Sequence, residues 1–270
     1  MQVVSKDGTA IAYDRVGQGP AVILVDAAMC YRKMGPSAAL ARLLAEHFTV
    51  FTYDRRGRGE SGDAPAYTVA REIEDLDAVL QAAGGSAAVW GTSSGAVLAL
   101  DAATRLAGIK QVATYEAPLI VDDGRPTTER DWQQIDQALA AGRRADAANA
   151  FLRLVGVPGF VAAVIRLLPL WSKMQAIAPT LAYDGAIVRD LQRGKPLPTG
   201  RWTSLRARVL VMDGAKSPPW MKKGNRALAD LLHAPYRSLP GQTHAVKAKA
   251  HAPALMEFFA PRKEPAVASS

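Results

Sequence analysis

Cysteine is almost missing from this chain: Cys30 is the only one in 270 residues. No intrachain disulfide can form, and the chain is compatible with a reducing compartment. Long apolar runs are missing too. Apolar residues come in stretches of five to eight broken by Gly, Pro or charge, well short of the roughly 18 to 20 needed for a helix to span a bilayer. The opening MQVVSKDGTAIAYDRVG lacks a cationic segment followed by an apolar stretch of signal-peptide length, so the expectation is a cytoplasmic protein with no membrane partner. Aromatic residues make up only 7% and no zinc-finger or RNA-binding motif occurs. The formal charge of +8 is spread along the chain and reads as a solvated basic surface rather than a nucleic-acid site. Histidines number four, with no clustered His/Cys spacing, so no metal and no organic cofactor is expected.

What the chain does have is apolar content, 49% of its residues, enough at this length to bury a large core in one domain or in a domain with an insertion. Residues 3–4 and 10–14 read as a short hairpin and 21–25 as a buried strand. From there strands and helices alternate: helix 36–46, strand 48–53, helix 68–83, strand 87–90, helix 94–106, strand 111–115. That alternation predicts an α/β fold, a mostly parallel sheet with helices on both faces and ligands bound at the carboxyl ends of its strands. Residues 121–200 change character, with helix-like segments interrupted by prolines and no clear strand, and are read as a helical cap inserted into the core formed by 1–120 and 201–262. The βα pattern resumes with strand 208–212, helix 219–232, strand 236–239 and helix 249–259. The tail 263–270 is polar and proline-containing and is expected to be disordered.

The strongest chemical signal is Gly91-Thr92-Ser93-Ser94-Gly95 between the strand AAVW and the small-residue helix GAVLALDAA. A G-x-S-x-G at a strand-to-helix turn describes a sharp elbow whose glycines leave room for a strained central serine. Ser93 is the candidate nucleophile. The Ser94 N–H, at a helix N-terminus, is aimed where negative charge develops on an attacked carbonyl. With this elbow, Tyr53-Asp54-Arg55-Arg56-Gly57-Arg58-Gly59-Glu60-Ser61 and the late Gly241-Gln242-Thr243-His244, the chain resembles the α/β-hydrolase superfamily over nearly its whole length. The resemblance implies an eight-stranded sheet with the cap after strand six.

A serine hydroxyl needs a base at neutral pH. Of the four histidines, His47 ends a helix, His233 stands at a helix-to-turn junction and His251 precedes Pro253, whereas His244 follows the last strand in a glycine-containing loop that can reach Ser93. The common family pattern places the acid three residues beyond the glycine that ends strand seven, but here that position is Ser217. Glu116, closing strand six, is the replacement, as in zearalenone-type lactonases, which this chain resembles in W-G-x-S-S-G-A and in the later E-x-P. Asp213, just before Gly214, stands as the alternative acid.

The resemblance places the second oxyanion donor after the third strand, where Ala28, then Ala27, occupy the position and Asp26 is expected to anchor the loop. Pocket lining is expected from Met29 and Cys30 on that loop and from Trp171, Met174, Phe151, Phe160 and Tyr183 in the cap. Leu167, Leu168 and Leu181 are further apolar residues for a roof. Arg55, Arg56, Lys216 and Lys222 are candidate contacts for a substrate carboxylate. A serine at the elbow favours acyl transfer on a small apolar ester or lactone over carboxylate-initiated dehalogenation. Alternatives are a ligand-binding receptor or scaffold that has lost catalysis, and a perhydrolase or C–C bond hydrolase on the same three residues. The sequence leaves the oligomeric state open.

Overall fold

A computed structural model describes residues 1–125 and 128–261; the tail expectation for 263–270 lies outside the described residues. Eight strands form one sheet in the order β1-β2-β4-β3-β5-β6-β7-β8. The short hairpin of β1 (Gln2–Val4) and β2 (Ala10–Val16) is antiparallel and joins β4 (Thr49–Tyr53) antiparallel. All other pairings are parallel, through β3 (Ala21–Val25), β5 (Ala87–Thr92), β6 (Ile109–Tyr115), β7 (Arg208–Gly214) and β8 (Tyr236–Leu239).

Side chains alternate across the pleat. On β3, Val22 and Leu24 pack into one apolar cluster with α1 (Ser37–Leu44) and α10 (Ala248–Phe259), while Ile23 and Val25 face the other. The second cluster holds α2 (Val69–Ala82), α3 (Ser94–Ala103), part of α9 (Pro219–Leu231) and most of the cap core. Thr68 caps α2 by accepting from the Arg71 N–H, which fixes the start of the helix.

Between β6 and β7 every regular element described is helical: α4 (Glu129–Ala140), α5 (Arg144–Leu154), α6 (Gly159–Ile165), α7 (Leu170–Ile177) and α8 (Leu181–Val188), with 3₁₀ turns Ala178–Thr180 and Arg189–Leu191. Pro158 and Pro169 stand just before α6 and α7, where a missing N–H costs nothing. The insertion closes on itself near its base, where the Ile120 N–H donates to Leu191 O and the Gly194 N–H to Ile120 O.

Candidate active site

Three adjacent parallel strands end in residues with left-handed backbone: Met29 (φ 58°) after β3, Ser93 (φ 54°) after β5 and Glu116 (φ 48°) after β6. Such conformations cost of order 1–3 kcal/mol each for a non-glycine residue and persist only where the surroundings impose them. At the elbow the surroundings are visible. A Cβ on Gly91 would sit 2.4 Å from the Gly95 carbonyl oxygen, and one on Gly95 would sit 2.4 Å from that of Val25. Only glycine lets α3 start this close to the sheet. The strand runs to Thr92, two residues beyond the expected end, so Ser93 itself makes the turn.

Glu116 is fully buried, and its Oε2 lies 2.7 Å from His244 Nδ1. A carboxylate can only accept, so Nδ1 carries the proton and Nε2 keeps its lone pair. The other carboxylate oxygen accepts from the Gly214 N–H at 2.8 Å and from the Ser217 hydroxyl. Burial pushes this carboxyl up, but the hydrogen bonds from His244, Ser217 and Gly214 outweigh it and hold its pKa below the ordinary value. Ser217, at the position where the usual acid is lacking, thus contacts the carboxylate supplied from the neighbouring strand. Tyr115, one residue earlier, donates its hydroxyl to Thr243 O and ties down the loop carrying His244. Asp213 is turned elsewhere: its Oδ2 accepts from the Tyr236 hydroxyl, and the ion pair of His244 is with Glu116. Of the other histidines, His47 and His233 are exposed, and His251 is buried against Tyr115 with Nδ1 donating to Lys247 O.

Ser93 and His244 line two adjoining hollows. One lies under the cap and the other beside the β3 loop, and Ala28, Phe151 and Val155 are common to both. The Ala27 carbonyl accepts from Arg58 Nη1 at 2.7 Å. Since no peptide bond among the described residues is cis, the Ala28 N–H of the same peptide unit points the opposite way from Arg58. Arg58 is held in turn by Asp184 of α8 (2.7 Å), and the same carboxylate accepts from Arg55 (2.8 Å) and from the Ser94 hydroxyl (2.8 Å). Burial would raise the Asp184 pKa, but Arg58, Arg55 and the Ser94 hydroxyl keep it below its ordinary value. One buried cap carboxylate therefore braces both stretches of backbone from which oxyanion donors were expected. Asp26 takes the anchoring place read for it, accepting from the Ser37 hydroxyl at 2.6 Å.

The pocket expectations divide. Phe151 lines both hollows and Cys30 the one beside the β3 loop. Met29 and Met174 are instead buried in the core, and Trp171 packs at its edge. Phe160 is 76% exposed on the outside of the cap. Tyr183 stacks on Tyr67 with ring centroids 3.9 Å apart and donates to Asp63. Arg55 and Arg56 do not face a ligand; they are buried in ion pairs with Glu72 and Asp184 and with Asp75 and Asp7. Lys216 is exposed and Lys222 half-buried, and neither lines the hollows. Sequence reasoning missed Arg125, Trp132 and Trp220, which line the hollow under the cap. Tryptophan is rare enough here, five in the chain, to have marked two of them.

A family model described as the alpha/beta hydrolase family matches residues 8–258. Among solved structures, the chain is similar to an alpha/beta hydrolase from Sphaerobacter thermophilus, 47% identical over 96% of this chain and 100% of that one, with a TM-score of 0.88. It is similar in fold to a hydrolase from Pseudomonas aeruginosa, at 22% identity over 96% and 97% of the two chains and a TM-score of 0.73. An enol-lactonase from Burkholderia xenovorans shares the fold at 21% identity over 96% and 99%, with a TM-score of 0.69.

Proposed function

The chain belongs to the alpha/beta hydrolase family, and from that premise we propose that it is a serine hydrolase cleaving a carboxylic ester or a lactone through an acyl-enzyme. The observation that carries this reading is His244 Nδ1 held 2.7 Å from a buried glutamate, in a cavity that Ser93 also lines. Nε2 of His244 takes the Ser93 proton as Oγ attacks the carbonyl carbon. Glu116 fixes the tautomer and stabilises the imidazolium. The Ser94 and Ala28 N–H groups receive the oxyanion. Collapse breaks the acyl C–O bond, and the imidazolium proton goes to the leaving alkoxide; a lactone keeps its new hydroxyl tethered to the acyl group. Water, deprotonated by His244, then repeats the cycle and releases the acid and free serine. The two hollows meeting at Ser93 suit the two arms of an ester, one on each side of the scissile bond.

The test is burst release of p-nitrophenol from a short-chain ester together with covalent labelling by a fluorophosphonate. Wild-type protein is expected to show both, with the label on Ser93, and Ser93→Ala to lose turnover by about 10⁴-fold or more. A receptor or scaffold would give neither burst nor label, and that result would overturn the reading.

A further inference from the structure

Arg125 lies in the connector after β6 and lines the hollow under the cap together with Ser93 and His244. Its guanidinium carbon is 4.3 Å from the centroid of the Trp220 ring, and Nη2 donates to the Leu154 carbonyl. Most of its five donors remain available. The arginines of the core are different, since Arg32, Arg55, Arg56 and Arg58 each hold a carboxylate. Arg125 forms no ion pair with any carboxylate among the described residues. Burial lowers its pKa, and the more distant charge of Asp131 offsets that only in part.

The walls around it are mostly apolar, Trp132, Phe151, Val155, Val188 and Met221, and the polar Thr128 and Gln192 are hydrogen-bonded to each other. Asp184 also borders this hollow, but its charge is taken up by Arg55 and Arg58. Among the described residues lining this hollow, Arg125 is thus a cation with no carboxylate in ion-pair contact. A guanidinium stacked on an indole presents its remaining N–H edge as a planar fork, the shape that pairs with a carboxylate.

We infer that the ester or lactone cleaved here carries a carboxylate, bound by Arg125 under the cap, with an apolar skeleton spanning from that carboxylate to the carbonyl at Ser93. The inference rests on the serine-hydrolase reading above and names its substrate class. Arg55 and Arg56, the arginines singled out in the sequence for this role, are occupied elsewhere.

Two substrate series test it. Methyl hemiesters of dicarboxylic acids from succinate to pimelate, set against the matching dimethyl esters, place the charge on the acyl side. Acetoxy-alkanoates, set against their methyl esters, place it on the alcohol side. In one series kcat/KM should favour the charged member by about 10- to 100-fold at the best chain length. Arg125→Gln should bring that ratio close to one, and Arg125→Lys should restore part of it. A charged-to-neutral ratio near one in both series for the wild type overturns the inference, as does a ratio that survives Arg125→Gln. Calorimetric titration of Ser93→Ala protein with the dicarboxylates separates the two claims. Dicarboxylate binding that Arg125→Gln abolishes, in a protein that hydrolyses no ester, would keep the anion site and sink the hydrolase; ester turnover with no charge preference and no dicarboxylate binding would do the reverse. A thermal melt of Arg125→Gln matching wild type shows that the readout is not lost folding.

Discussion

Two stretches of this protein invert the ordinary rule that charge faces water and hydrocarbon faces the core. In the loop after β4, Arg55, Arg56 and Arg58 are each at most 1% exposed. In the cap between α5 and α7, Phe160 is 76% exposed, Leu167 85% and Val164 55%, and α6 has no buried residue at all. The difference lies in partners. Each arginine of the loop meets a carboxylate in good geometry, from Glu72, Asp75 and Asp184, which offsets the several kcal/mol per ion that desolvation costs. Among the described residues the outer cap side chains have nothing packed over them; α6 is seven residues long, with Pro158 before it and Pro169 before α7. Burial here follows from what stands opposite a residue, and its own polarity decides less.

The sharpest way to break that comparison is to remove one arginine. Arg55→Met keeps the bulk of the side chain but leaves Glu72 without its cation and takes one of two arginines from Asp184, and it is expected to cost about 3–5 kcal/mol in urea unfolding, the usual penalty for orphaning a buried charge. A cost under about 1 kcal/mol would mean that the network is hydrated and that its burial explains little. A smaller effect is expected beside it at Asp26. Burial raises its pKa from 3.8 to about 6, with the Ser37 hydrogen bond and the charges of Arg58 and Arg55 opposing. Between those two values the unfolded chain has lost this proton while the folded chain keeps it, so the contribution to stability falls as pH rises from about 4 to 6 and is level above. Asp26→Asn should remove that fall, giving a variant about 2–3 kcal/mol more stable relative to wild type at pH 7 than at pH 4. A difference independent of pH would show that folding leaves the pKa of Asp26 at its unfolded value.

The same contrast explains how much could be read in the chain. The core was legible because its signals are local: β-branched strands, amphipathic helices and a glycine-framed elbow each lie within about ten residues. The contact between Glu116 and His244 was legible as well, because a glutamate closing an apolar strand needs a partner and the usual acid position holds Ser217. That the Ser217 hydroxyl would then donate to this glutamate was not, since the contact spans 101 residues of sequence. The arginines read as ligand contacts failed because no local pattern marks their partners: Arg55 meets Glu72 17 residues on and Asp184 129 residues on, and Arg56 meets Asp75 19 residues on. In the cap, helical spacing shows that a face is apolar without showing what covers it. Met174 consequently lies in the core and Phe160 outside, while Arg125, outside any periodic pattern, lines the hollow.

The weakest expected effect is the one that most directly checks the apolar half of the comparison. Phe160→Ser and Leu167→Ser each remove a large hydrocarbon side chain, a change that costs about 2–5 kcal/mol inside a core. On this surface most of each side chain is in water in the folded and unfolded states alike, so little transfer free energy is lost and each change should fall within about 0.5 kcal/mol. The comparison needs both substitutions in one protein, followed by urea unfolding at several protein concentrations. A loss above about 1.5 kcal/mol that is independent of concentration would place these residues in the folded core of the chain and break the contrast with the arginine loop. A loss that grows with concentration would show instead that a second copy covers the patch, so that the cap, like the loop, buries what it has a partner for.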